Sequence, residues 1–445
     1  MTQASYDAVV IGGGPGGSAT STFLARAGKR VLVLEKERFP RFHIGESLLP
    51  YNHALFEEMG VLPALEAAGF PKKLGAQFHL GNATKALKLV FRNGRFTRHT
   101  TAFQVERATF DHLLLKHAGD SGAEVREGWT VTNFSCQTNQ VSLRARGPDG
   151  TTETFEGAFV IDASGRGNLT GNQERLRVVH PHLKKLALFG HFEGVALESG
   201  GPRGDTVIVR LENKWFWLIP ISGTKTSVGC VMDQDEFAQA GEAPATLFAR
   251  IWQSSSEMRA RMKNARLVSQ LQTASDFSYF NRRFTGPRLL RVGDAAAFMD
   301  PIFSAGVYVA MYSGKLAAEA VLGALAAGDD GRRRLAAYEK RLWRAMKCYW
   351  EMVEGFYTKP FMELFLEPRP KFKLPDAIVA LLAGELEGGW AIDWRRRLFF
   401  LLLRIHSRWP LVPGLSFDEP PRSPDDDIGC EPSGGKLAAT EVKSL

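Results

Sequence analysis

The chain has 445 residues, 44% hydrophobic and 23% charged, with four cysteines and a net charge of +8. That is an ordinary globular balance, long enough for two or three domains, and the charge is spread along the chain without a basic arm or nucleic-acid motif, so no nucleic-acid partner is expected. Cys136, Cys230, Cys348 and Cys430 lack metal spacing, no apolar run approaches a membrane span, and the N-terminus enters a strand directly; free thiols, no metal, no transmembrane segment and a cytoplasmic location are the expectations.

In chain order, Ala8-Val9-Val10-Ile11 reads as a buried parallel strand. Gly12-Gly13-Gly14-Pro15-Gly16-Gly17 follows, with Gly12, Gly14 and Gly17 on the G-x-G-x-x-G spacing. Gly12 permits a tight turn, Gly14 lets the backbone approach a pyrophosphate, and Gly17 lets the next helix pack close to the strand. The helix from Ser18 to Ala27 offers its N-terminal N–H groups to that pyrophosphate. A second strand, Val31 to Leu34, ends at Glu35, placed to accept from an adenosine ribose. A charged, ring-rich loop, Arg38 to Ser47, leads into a helix from Leu49 to Gly60. Alternating segments from Lys72 to Phe103 read as antiparallel strands, and Gln104 to Asp111 starts a helix that runs to about Ala118. Further strands are expected from Ala123 to Leu143, a hairpin turn at Arg146 to Gly150, and a buried strand at Phe159-Val160-Ile161-Asp162. Leu186 to Phe280 reads as a mostly antiparallel sheet with one helix near Pro244 to Ala265. Arg288 to Ala295 is another buried strand, and Asp300 to Gly328 a turn and a long helix. Arg332 to Met362 and Leu374 to Pro413 look helical, and the Pro-, Asp-, Ser- and Gly-rich end from Ser416 is expected to be disordered.

The fold class is therefore α/β. A Rossmann-like cofactor domain (1–75, 104–185 and 285–330) is interrupted by a mostly antiparallel sheet domain (76–103 and 186–284). A helical region (331–415) and a tail (416–445) follow. A second G-x-G-x-x-G is absent, which argues against a separate nicotinamide domain.

Three motifs in order, the glycine loop, Asp162-Ala163-Ser164-Gly165-Arg166 and Gly293-Asp294, resemble the FAD-dependent monooxygenase superfamily of the p-hydroxybenzoate hydroxylase type. The resemblance implies that Asp294 holds the ribityl chain and Arg107 the phosphate region. It also implies cofactor contacts from Gly12, Gly14, Pro15, Gly17, Glu35, Lys36, Glu46, Ser47, Asp162, Pro301 and Gly306. A plain helix N-cap is the other reading of Asp294.

Trp215-Phe216-Trp217-Leu218-Ile219-Pro220 matches W-x-W-x-I-P, and Lys73-Leu74-Gly75-Ala76 matches K-x-G-A; both resemble the flavin-dependent halogenases. On a strand the two indoles share a face, and in that family they are taken to wall off the flavin. Lys73 matches the family's essential lysine, whose amine directs electrophilic halogen at a substrate ring. The bland alternatives are a core tryptophan pair and a lysine that keeps a strand edge soluble. Asp300-Pro301-Ile302-Phe303-Ser304-Ala305-Gly306 resembles the segment beside the isoalloxazine, with Ser304 as a catalytic candidate and the N–H groups of Ala305 and Gly306 as a halide site; a loop and N-cap is the other reading. Tryptophan halogenases carry a glutamate where this chain has Phe303, so the likeness runs to enzymes acting on phenols or pyrroles, free or loaded on an acyl or peptidyl carrier protein. It implies reduced FAD from a separate reductase, O2, and chloride or bromide. Gly355 to Phe365 and Leu381 to Gly384 resemble the helical region of the carrier-type branch. The basic stretch Arg395 to Arg404 fits an acidic carrier, a membrane surface, or simply a core helix with a solvated face. An aromatic hydroxylase or a reductase of the geranylgeranyl reductase type shares this architecture and stands as the alternative.

Overall fold

Tyr6–Ile11 is the centre of the first layer. The structure, a computed structural model, describes residues 5–136, 140–197, 204–368, 371–386 and 389–418. Tyr6–Ile11 pairs in parallel with Val31–Glu35 on one side and Thr152–Asp162 on the other; Leu289–Arg291 and Glu124–Glu127 extend the parallel set. All four residues Ala8 to Ile11 are buried, as a strand covered on both faces requires. The register sets Ile11 beside Leu34 and Asp162, and Asp162 beside Arg291. The strands thus end level, and Gly12, Glu35, Ala163 and Gly293 emerge at one carboxyl edge, where open α/β sheets bind their ligands.

The second layer is a nine-stranded sheet in which Gly75–Leu80 lies parallel to Thr206–Arg210 and the other pairings are antiparallel. Lys72–Lys73 leaves this sheet and pairs separately with Ala102–Phe103. That small ribbon carries the candidate lysine inward. The glycine-loop helix runs Pro15–Arg26, three residues earlier than the spacing suggested, because Pro15 is a good first helical residue.

The single helix expected near Pro244 to Ala265 is instead Pro244–Gln253 and Ser256–Met262, preceded by Gln234–Ala240. Ser255 makes the break: its hydroxyl accepts from the Met258 N–H at 3.2 Å as an N-cap. The helical stretch from Arg332 likewise divides into Arg332–Phe356 and Lys359–Leu366 at Thr358, whose Oγ1 accepts from the Phe361 N–H. The expectation of no membrane-length apolar segment needs correcting. Gly306–Ala327 is long and apolar enough to cross a membrane by composition, but most of it is buried against the glycine-loop helix and Arg332–Phe356, the setting that makes a helix apolar all round. Most of the expected disordered tail, 419–445, lies outside the described residues.

In Gly389–His406 the residues Ile392, Phe399 and His406, spaced by seven, are buried, while Arg397 and Arg404 are exposed. Phe399 meets Phe361 edge-on at 5.6 Å, and Arg396 pairs with Glu351. The basic stretch is a core helix with a solvated face.

Candidate active site

The glycine loop is built for close approach. Gly12 sits at φ +100°, and a Cβ there would lie 2.4 Å from the Ala163 carbonyl oxygen. A Cβ on Gly17 would lie 1.9 Å from the Gly12 oxygen, so strand and helix touch through it. Gly14 is the N-cap of the helix and Pro15 its first residue; no side chain caps this end, which leaves the first N–H groups directed at the sheet edge. Glu35 is buried: one carboxylate oxygen accepts from the Gly13 N–H at 2.6 Å and the other from Glu37 at 2.8 Å. Lys36 is exposed.

Arg107 is buried and heavily engaged. It forms a fork with Asp111, Nε at 2.7 Å and Nη2 at 2.9 Å, and Nη1 donates to the carbonyls of Ile44 and Gly45. Its guanidinium holds the 41–47 loop, and only one N–H remains for a phosphate. Arg41, a residue the motif reading passed over, has Nη2 3.6 Å from where a Gly14 Cβ would lie. It pairs with Asp111 at 3.0 Å and Glu37 at 3.0 Å. The signal was present in the charged loop, but only the folded loop places it at the glycines. Asp162 accepts from the Ser164 N–H and from both the N–H and the hydroxyl of Thr170, so its carboxylate organises the strand's own exit. Glu46 is buried and accepts from His191 Nε2 at 2.7 Å.

Two cavities lie beyond the sheet edge. One is lined by Asp294, Asp300, Phe303, Ala305 and Gly306, with Val309 and Tyr349 behind. The other is lined by Lys73, Phe91, Thr206, Phe303, Ser304 and Val379, among others. The turn Pro301–Phe303 stands between them, and Phe303 lines both. Ser304 follows at φ +56°, a strained position for a non-glycine residue, and Ala305 is the N-cap of Gly306–Ala327.

Lys73 is 2% exposed, whereas its neighbour Lys72 is exposed. Its Nζ donates to Ser47 Oγ at 2.8 Å and to the Leu48 carbonyl at 3.1 Å, and sits 5.8 Å from the centre of the Phe91 ring. Ser47 in turn shares a 2.8 Å hydrogen bond with Thr206, which also accepts from Gln104. Burial pulls the amine down to about 7 from 10.5, and Asp205 opposes it. The solubilising role for this lysine is excluded by its burial; Lys72 alone has that position.

Trp215 and Trp217 share a face with ring centres 5.9 Å apart, and both are buried. Neither lines either cavity. Trp217 lies flat over Gly229 on the adjacent strand and donates to Ser227 Oγ at 3.1 Å. Trp215 donates to Tyr357 at 2.9 Å and packs edge-on against Phe356, which packs edge-on against Phe303. Phe303, which lines both cavities, is joined to Trp215 through the Phe356 ring.

The tight glycine loop, the uncapped helix end and the cavity at Asp294 fit FAD, which Gly12 to Gly17, Glu35 and Asp294 would hold. The sequence matches the FAD binding domain family over residues 5–351. It is 30% identical over 430 residues to the 1H-pyrrole-2-carbonyl-(peptidyl-carrier protein) chlorinase of Pseudomonas fluorescens, covering 92% of this chain and 95% of that protein. Among solved structures, a flavoprotein/dehydrogenase from Cytophaga hutchinsonii superposes with TM-score 0.83 at 25% identity, covering 91% of this chain and 99% of that one. The flavin-dependent brominase Bmp2 superposes with TM-score 0.81 at 28% identity, covering 90% and 100%. The fold, the glycine loop and these likenesses agree: the chain belongs to the FAD binding domain family and, within it, to the flavin-dependent halogenases.

Proposed function

We propose that the protein halogenates an electron-rich aromatic ring, a phenol or a pyrrole, through Lys73. The observation that carries this is a buried amine, poised near neutrality, in a cavity that shares one wall, Phe303, with the cavity of Asp294, Ala305 and Gly306. Reduced FAD together with O2 and a proton supplies the two-electron oxidation of chloride or bromide to hypohalous acid, with water as the other product. The N–H groups of Ala305 and Gly306, at a helix start, hold the halide. Phe303 and the turn around it exclude bulk water and direct the small neutral acid toward Ser304 and Lys73.

At a pKa of about 7, a large share of Lys73 is the free amine at neutral pH. Its lone pair takes the halogen from hypohalous acid, forming an N–halogen bond and releasing water. The ring then takes the halogen, and its displaced proton returns to the amine nitrogen. Ser47 and the Leu48 carbonyl hold Nζ of the free amine in place, with its lone pair left for the halogen. The cavity around Lys73 is largely apolar and brings no carboxylate, which suits a ring reactive enough to need no second catalytic acid or base. The reported likeness to a pyrrolyl carrier-protein chlorinase supports delivery of the ring on a carrier. A separate reductase supplies reduced FAD.

The test is incubation with reduced FAD, O2 and chloride or bromide, with pyrroles and phenols offered free and as carrier thioesters, read by the halogen isotope pattern. A hydroxylated product together with NADPH oxidation by the protein alone supports the hydroxylase reading instead, which the indoles' absence from both cavity walls favours.

A further inference from the structure

The turn that separates the two cavities is held from outside by a chain of three side chains. Asp300 Oδ1 accepts from the Ile302 N–H at 3.1 Å. Its other oxygen, Oδ2, accepts from the Tyr357 hydroxyl at 2.6 Å, a short charge-assisted bond. Tyr357 in turn accepts from Trp215 Nε1–H at 2.9 Å. The Asp300 N–H is anchored on Ser278 Oγ at 3.1 Å. Each member comes from a different element: the signature strand Trp215–Pro220, the residue after Arg332–Phe356, and the turn itself.

The turn needs such support. Ser304 is left-handed, and a strained backbone persists only where its surroundings over-determine it. Burial and the adjacent Asp300 carboxylate push the Tyr357 hydroxyl well above its usual range, so it stays a donor at every working pH. Lys185 Nζ lies 4.1 Å from the Tyr357 ring centre, a cation–π contact that also holds the ring.

We propose that Trp215, Tyr357 and Asp300 act as one positioning relay that fixes the Pro301–Ser304 turn, so that Trp215 works through the turn and not as a wall against substrate. The relay stands whatever the protein's reaction is; its effect on coupling rests on the halogenase reading given above. With the turn fixed, Phe303 keeps its place in both cavity walls.

The test is a double-mutant cycle on the full-length protein with Tyr357→Phe and Trp215→Phe. Tyr357→Phe keeps the ring, the Lys185 contact and the packing on Phe356. Three readouts are followed: hydrogen exchange of the Ile302 amide, the visible spectrum of bound oxidised FAD, and halogenated product per reduced flavin consumed. Each single variant speeds Ile302 exchange roughly three- to tenfold, the effect of loosening one buried hydrogen bond, and shifts the flavin spectrum. The double variant is no worse than the more severe single, because residues of one network are not additive. Product per flavin falls in parallel, with hydrogen peroxide making up the difference. Unchanged exchange in Tyr357→Phe, or fully additive effects, overturns the relay. If the exchange and spectral effects appear but the parent makes no halogenated product, the relay holds and the halogenase reading fails. Should Trp215→Phe not fold, Tyr357→Phe and Asp300→Asn close the same cycle.

Discussion

The Lys73 nitrogen lies 2.8 Å from Ser47 Oγ, at the inner end of a two-residue ribbon whose other lysine faces outward. Ser47 ends the loop that Arg107 ties down, so the cofactor side and the lysine side share one piece of backbone. The consequences can be measured one at a time.

Lys73 makes stability depend on pH. Its folded value is about 7 against an ordinary 10.5. Between those values the unfolded chain binds a proton that the folded chain does not, so stability rises with pH across that window; below it the folded protein bears the full cost of a buried ammonium. Lys73→Met removes the effect. Its advantage over the parent in denaturant melts is largest just below pH 7 and shrinks toward pH 10, by at most about 1.4 kcal/mol per pH unit. A gap independent of pH contradicts a buried, depressed amine.

Ser47→Ala removes an oxygen that stabilises the ammonium. The amine is then held even lower, and the acid limb of the pH–rate profile for halogenation moves to lower pH. Thr206 loses a partner as well, so the rate at the plateau falls. A profile displaced to higher pH contradicts this assignment of Ser47.

Gly17→Ala forces a Cβ into the Gly12 carbonyl, a backbone atom that cannot step aside. Overpacking of this kind destabilises by about 3 kcal/mol or more. FAD affinity, read by quenching of flavin fluorescence, drops at least tenfold. Unaltered affinity removes the glycine loop from the cofactor site.

Phe303→Ala merges the two cavities. Loss of a buried ring destabilises by about 3 kcal/mol, and halogenated product per reduced flavin falls as the oxidant escapes to water. Coupling equal to the parent's means that Phe303 is not the partition.

Much of this was legible in the sequence because local rules carry it. The glycine loop, Glu35, the Asp162 strand end and Gly293-Asp294 each follow from a spacing and a strand end, and the parallel register brings them to one edge. Lys73 was legible as a motif, yet its burial was not: a pair of lysines on a short ribbon looks the same whichever one turns inward. The place of the indoles was not legible either. Trp215 meets a tyrosine 142 residues away, and no period or propensity in either segment announces that contact. Arg41 escaped for the same reason, since its closeness to Gly14 depends on how the 38–47 loop folds back. The helix boundaries at Ser255 and Thr358 were set by N-caps that compete with continuous helical patterns.

The most direct measurement is product formation by Lys73→Met supplied with reduced FAD, O2 and bromide. The variant is expected to bind FAD with the parent's affinity and to consume reduced flavin, while the halogen isotope pattern disappears from the aromatic product. Halogenated product formed at the parent's rate would contradict the account, because the amine in the inner cavity would then carry no halogen.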